Sequence, residues 1–254
     1  MFTFLRNINC LLITNTGGDS MNIRRGHERG VANFGWLHSK HTFSFGHYFD
    51  PAHMGFGPLR VINQDQVTPG AGFDTHGHSD MEIISYVVSG ALEHKDSIGN
   101  GSVIVPGELQ RMTAGTGIRH SEYNHSRTEG VEFLQIWIHP EQKRLKPGYE
   151  QKAFAPESMT GVFRLIGSRN GAQDSVTIHQ DVNLYAARLD GAEPVCLDID
   201  PQRGAWVQVV KGSVELNGEA LTEGDGAALE NVNKLTFANA DNAEVLVFDM
   251  KMQA

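Results

Sequence analysis

Residues 86–106 read YVVSGALEHKDSIGNGSVIVP, and residues 207–228 read VQVVKGSVELNGEALTEGDGAA. Both run from an apolar strand through Ser-Gly or Lys-Gly into a short alternating strand. A Gly-Asn or Asn-Gly turn and a further strand follow. The two copies lie about 120 residues apart, close to half of the 254-residue chain. Repetition at that spacing implies two copies of one β domain. The segments around them agree. Residues 59–64, 82–89, 102–105, 131–138, 163–166, 175–179, 182–188, 206–210, 213–216 and 244–249 are short, β-rich and bounded by Gly, Pro, Asn or Asp. No amphipathic pattern sustains a helix of three or more turns. The sequence therefore predicts an all-β sandwich or barrel. Residues 140–156 (PEQKRLKPGYEQKAFAP) are charged and Pro-containing, and are predicted to connect the halves.

Composition narrows the function classes. The chain carries 30 acidic against 21 basic residues, a formal net charge of -9. Such a surface repels phosphate backbones, which argues against direct nucleic-acid binding. No run of 18 apolar residues predicts a membrane span. Two cysteines, Cys10 and Cys196, form no metal or redox motif and fit a cytoplasmic, reducing setting. The apolar stretch at residues 10–14 is too short for the core of a signal peptide. Residues 1–20 are read as a loosely ordered extension, with Met21 as an alternative start. No G-x-S-x-G elbow, P-loop or dinucleotide fingerprint is present.

Two short stretches carry the chemistry. THGHSDME places His76, His78 and Glu82 at even spacing, and GIRHSEYN places His120 and Glu122 two apart. Residues two apart on a strand point to one face. Pairs on neighbouring strands would then make a cage of three imidazoles and one carboxylate. A shared metal satisfies buried groups that would otherwise lack partners. Without cysteine ligands, and with few oxygen donors, the set suits a divalent transition metal rather than magnesium, calcium or a structural zinc. Parity leaves open whether Glu82 or Glu122 supplies the carboxylate, or whether Glu82 orients a ligand imidazole. Residues 35–51 (GWLHSKHTFSFGHYFDP) add Trp36, His38, His41, Phe43, Phe45, His47, Tyr48 and Phe49. They are read as packing of an edge strand, or as an aromatic wall beside the metal suited to a flat apolar ligand. The second half has no H-x-H and no second metal site of this kind is expected.

These residues resemble the pirins of the cupin superfamily. Residues 70–90, GAGFDTHGHSDMEIISYVVSG, look like the first cupin motif, and Gly117, His120 and Asn124 resemble the end of the second. HTFSFGHYFDP, GFGPLRVINQD, HGHSDMEIISYV, AGTGIRHSEYN and QIWIHP are pirin-like, and the likeness covers residues 22–254. It is especially close to bacterial pirin-like proteins reported as quercetinases. The resemblance implies a monomeric bicupin of two facing barrels: an N-terminal metal-binding domain over 21–145 and a metal-free C-terminal domain over 146–254. The family's ligands fall on His76, His78, His120 and Glu122, around Fe(2+), with copper, manganese, nickel, cobalt or zinc as alternatives. Ordinary cupins would use Glu82 instead of Glu122.

The implied activity is dioxygenation of a flavonol such as quercetin, with ring opening and release of carbon monoxide. The partners would be a small aromatic substrate and dioxygen. Glu82 or Glu122 would take the proton of the substrate hydroxyl, with Glu82 the better base if Glu122 is a ligand. The competing expectation is a metal-dependent regulatory or binding protein, since some pirins are described in that role.

Overall fold

Strand Glu82–Ser89 is buried at all but its last position. An uninterrupted buried strand needs cover on both faces, and in the computed structural model, which describes residues 20–252, each face meets a different core. Ile84, Tyr86 and Val88 point outward and join one cluster with Leu184, Phe248 and Met250 of the second half. Ile83 and Val87 point into the strand's own barrel, where they belong to two separate apolar clusters. Ser85 lies between them on that inward face. Each fully buried aliphatic or aromatic side chain in these clusters is worth roughly 1.5–3 kcal/mol.

The first barrel is built from two sheets. One runs in the order Gly148–Ala153, Glu108–Thr113, Glu82–Ser89, Val131–Ile138, Leu59–Val67, Leu37–His41, Gly30–Asn33. The other runs Gly72–His78, Ile118–Asn124, Leu92–Asp96, Gly101–Ile104. The second barrel is a single nine-stranded sheet. Its long strands Arg203–Leu216 and Lys234–Lys251 pair through several register shifts, and such bulges bend a strand so that one sheet can curl on itself. The chain is thus all-β, with two cupin-type barrels packed through their outer faces, as the repeat implies. Among the described residues, no helix is long and apolar enough to cross a membrane.

Strand pairing crosses the expected division at 145/146 in both directions. Ser20–Arg24 pairs with Gly226–Glu230 of the second barrel. Gly148–Ala153, inside the stretch read as a connection, pairs with Glu108–Thr113 of the first. GYEQKA has little intrinsic strand preference, and an available sheet edge decides its conformation instead. Arg25 and the backbone N–H of Gly26 secure the N-terminal crossing by bonding Asp225 at 2.9 and 2.7 Å. The extension read over residues 1–20 lies outside the described residues apart from Ser20.

The interiors of the barrels differ in chemistry. Val207, Val209, Val245, Val247, Ala187 and Leu189 fill the second. In the first, a polar row crosses the large sheet between the two apolar clusters: Gln110, Ser85, Gln135, Asn63 and His41 are successive cross-strand partners. All five are buried. Buried polar groups need partners, and this row faces the small sheet that carries the histidines.

Candidate metal centre

The antiparallel pairing of Gly72–His78 with Ile118–Asn124 sets His76 opposite His120. The register then slips, so that Glu122 faces Phe73. Gly72 permits this close approach, because a Cβ there would lie 2.3 Å from the Glu122 carbonyl oxygen. On the other side of Ile118–Asn124, Asp96 lies opposite His120 and His94 opposite Glu122.

His76, His78 and His120 converge, each offering a ligand nitrogen within 4.8 Å of the others. Their ring centroids are 4.4 to 4.9 Å apart. The Nδ1 of His76 donates to the Asp74 carbonyl at 2.7 Å, which leaves Nε2 with the free lone pair. His120 is buried, and neither of its ring nitrogens has a hydrogen-bond partner. Burial, then the neighbouring imidazoles, push His78 down to about 4 and His120 down to about 3. Both are therefore neutral near pH 7, with lone pairs available. Orphaned buried nitrogens are costly unless something accepts them, and a divalent transition metal fits this donor set.

Glu122 adjoins the three-histidine group through His120. It belongs to an overlapping group in which the ligand atoms of His94, His120 and Glu122 lie within 4.8 Å of one another. Its carboxylate accepts hydrogen bonds from Ser85 Oγ at 3.1 Å and Gln135 Nε2 at 2.7 Å. These members of the polar row hold the carboxylate in place beside the histidines.

Glu82 lies on the other sheet from the histidines. Strand Gly72–His78 ends, the chain turns at Asp80 with φ 50, and Glu82 opens a strand of the other sheet. Parity does not carry through a turn. Glu82 shares the outward face of Ile84 and Tyr86. Its Oε2 accepts from the backbone N–H of His179 at 3.1 Å and from His179 Nδ1 at 3.0 Å. Arg111 Nε lies 3.8 Å away. The carboxylate therefore serves the junction with the second half.

His94 was not singled out by sequence reasoning. The available signal was His-x-Asp in the strand Leu92–Asp96, where alternation puts both side chains on the face of Leu92. Phe73 and Trp137 were also missed. The Phe73 ring centroid lies 6.5 Å from that of His76, and the Trp137 centroid 5.0 Å from that of His78. Trp36 and Phe45 of the aromatic segment stand behind them, edge-on to Phe73 and Trp137 respectively. His41 belongs to neither group and bonds Asn63 at 2.8 Å. His125, one residue beyond the strand Ile118–Asn124, is exposed. An open cleft of about 390 Å³ reaches His78, lined by Gly77, Ser79, Ser97, Gly117, Ile118 and Arg119.

The depressed histidines predict how the metal-free protein responds to acid. His78 and His120 bind protons in the unfolded chain near pH 6.5 but in the folded chain only near 4 and 3. His41 is also lowered, chiefly by burial. Their contribution to stability is complete above pH 6.5 and is lost as pH falls toward 4. Asp65, fully buried and pushed up to about 7, works in the opposite direction. One carboxyl group does not offset three imidazoles. The Tm of chelator-stripped protein is expected to fall from pH 7 to pH 4.5, and a flat profile would contradict the assignment.

Comparison with known proteins agrees with both halves of this architecture. The family description Pirin matches residues 23–138, and that of the quercetinase C-terminal cupin domain matches residues 165–250. A quercetin 2,3-dioxygenase of Escherichia coli K12 is 46% identical over 228 residues, covering 90% of this chain and 97% of the relative. A pirin-like protein of Caulobacter vibrioides is 38% identical over 221 residues, covering 87% and 95%. The crystal structure of the E. coli bacterial pirin YhhW in complex with nickel(II) superposes with a TM-score of 0.88 at 45% identity, covering 92% of this chain and all of that one. The two family descriptions and the full-length relatives together span nearly the whole chain, which belongs to the pirin family of bicupins.

Proposed function

We propose that this protein is a metal-dependent dioxygenase that opens the central ring of a flavonol such as quercetin and releases carbon monoxide. The observation that carries this reading is the three-imidazole group with Glu122 beside it, reached by an open cleft and flanked by Phe73 and Trp137. Relatives described as quercetin 2,3-dioxygenases over nearly their full length support it.

His76, His78, His120 and Glu122 would hold the ion. Iron(II) is the metal we propose, while the YhhW complex shows that a close relative accepts nickel(II). When bound, the ion supplies Lewis acidity toward the flavonol 3-hydroxyl and redox capacity toward dioxygen. Phe73 and Trp137 offer aromatic faces and edges to a flat substrate. Ser85 and Gln135 hold the Glu122 carboxylate, which would take the 3-hydroxyl proton at one of its oxygens. The chain would act as a monomer, with dioxygen as co-substrate. A cytoplasmic location is part of the same proposal. Recovery of the protein in the cell envelope on fractionation would overturn that location.

The test is to purify the protein without added metal and quantify what it retains. Quercetin loss, oxygen uptake and carbon monoxide release are then followed after loading with iron, nickel, manganese, cobalt, copper or zinc. Carbon monoxide equal to the quercetin consumed, and dependent on metal, is the expected result. Bound metal without turnover across the series would replace this reading with the binding or regulatory one.

A further inference from the structure

His94 lies deep in the first barrel with no exposed surface. Its Nε2 stands 3.3 Å from Asp96 Oδ2, while its Nδ1 is buried without a hydrogen-bond partner. Asp96 is held firmly. Its Oδ1 accepts from the backbone N–H groups of Ile98 and Asn100 at 3.0 and 2.9 Å, and its Oδ2 from Asn100 Nδ2 at 2.9 Å. A carboxylate accepts only, so the His94 nitrogen facing Asp96, Nε2, is the one that donates, and Nδ1 is left as an acceptor. The Tyr149 ring, 5.0 Å between centroids, limits the movement of the imidazole.

The bare nitrogen needs a donor, and a donor without an acceptor is close by. The ring centroids of His94 and His120 are 5.4 Å apart, and the two rings share the group containing Glu122. Once one nitrogen of His120 is a ligand, the other must carry a proton. Neither ring nitrogen of His120 has a hydrogen-bond partner among the described residues. A metal-bound histidine nearly always donates that second N–H to a fixed acceptor, which sets its tautomer and ring orientation. His76 already does so through the Asp74 carbonyl.

We propose that His94 is the positioning partner of His120: anchored by Asp96, it accepts the N–H of the His120 nitrogen that is not a ligand. An Asp96–His94–His120 chain then leads from the carboxylate to the metal. This assignment depends on the metal centre but not on the flavonol reading, and the experiment that tests it uses no substrate.

The experiment loads histidine-labelled (15N) protein with zinc, a diamagnetic probe, and assigns ring tautomers by NMR. His94 is expected as the Nε2–H tautomer, and His120 should show a slowly exchanging N–H. In His94→Leu that proton exchanges rapidly, and zinc affinity by chelator competition falls about 10- to 100-fold. His94→Gln, which retains an acceptor oxygen, should recover part of the affinity. Three results would each overturn the proposal: a proton on Nδ1 of His94, zinc coordinated directly by His94, or wild-type affinity in a folded His94→Leu protein. The tautomer measurement is made on the wild-type chain, so it decides the matter even if that variant does not fold.

Discussion

His120→Ala is expected to abolish metal retention and to lower kcat/KM for quercetin by about a thousandfold or more, while the chain stays folded. The rate estimate follows from a Lewis acid contributing several kcal/mol, with each ~1.4 kcal/mol worth a factor of ten. His120 is the residue common to both ligand groups, so its loss breaks the triad of histidines and detaches Glu122 from it. Alanine also removes two buried ring nitrogens that lack partners in the metal-free protein. That relief opposes the cost of the cavity, so the metal-free Tm should move little. The difference emerges on loading. At a free metal concentration of about 1,000 Kd the wild type gains about 4 kcal/mol, or roughly 8–16 °C in Tm for a chain of this size. The variant should gain nothing. His125→Ala, on the exposed side of the same stretch, serves as control and should behave as wild type. Metal analysis, Tm with and without chelator, and carbon monoxide release check the three parts. A His120→Ala protein that keeps its metal would refute the ligand assignment.

The sequence was most legible where one strand carried a whole argument. His120 and Glu122 sit on one uninterrupted strand, as do His76 and His78, and period-two alternation put each pair on one face. The register that joins the pairs, including its slip after His120, is a product of tertiary pairing and leaves no local signal. Glu82 shows the limit from the other side. It has the parity of His76 and His78 only if the turn around Asp80 is ignored, and beyond that turn even positions face the opposite barrel. His94 stayed hidden because its strand, LEHKD, has the composition of an exposed hairpin. Burial of that histidine becomes visible only when Ile118–Asn124 lies against it. The strand exchange between barrels had no signal at all: GYEQKA is as polar as a linker, and an open sheet edge makes it a strand.

Glu82→Ala separates a junction from a catalytic base. The Glu82 carboxylate is fully buried and takes two hydrogen bonds from His179. Arg111, 3.8 Å away, also donates to the Thr177 carbonyl at 2.8 Å and to Glu150 at 3.1 Å. Alanine would leave the His179 N–H without its acceptor and Arg111 with one carboxylate instead of two. Stranding buried donors and part of an ion pair costs about 2–4 kcal/mol, which corresponds to a drop of roughly 5–15 °C in Tm. Glu150 and Thr177 still hold Arg111, which keeps the loss below that of an abandoned buried charge. The histidines are on another sheet, so metal bound per folded molecule should not change, and kcat measured well below the new Tm should stay within about threefold. Glu82→Gln keeps an acceptor oxygen for the His179 N–H and should lose less stability than alanine. A general base would give the reverse pattern, with Tm unmoved and kcat reduced about 10²- to 10⁴-fold in both variants. Thermal unfolding and saturation kinetics on the same metal-loaded preparations distinguish the two. A large fall in kcat at constant Tm would return Glu82 to the catalytic site and remove it from the junction.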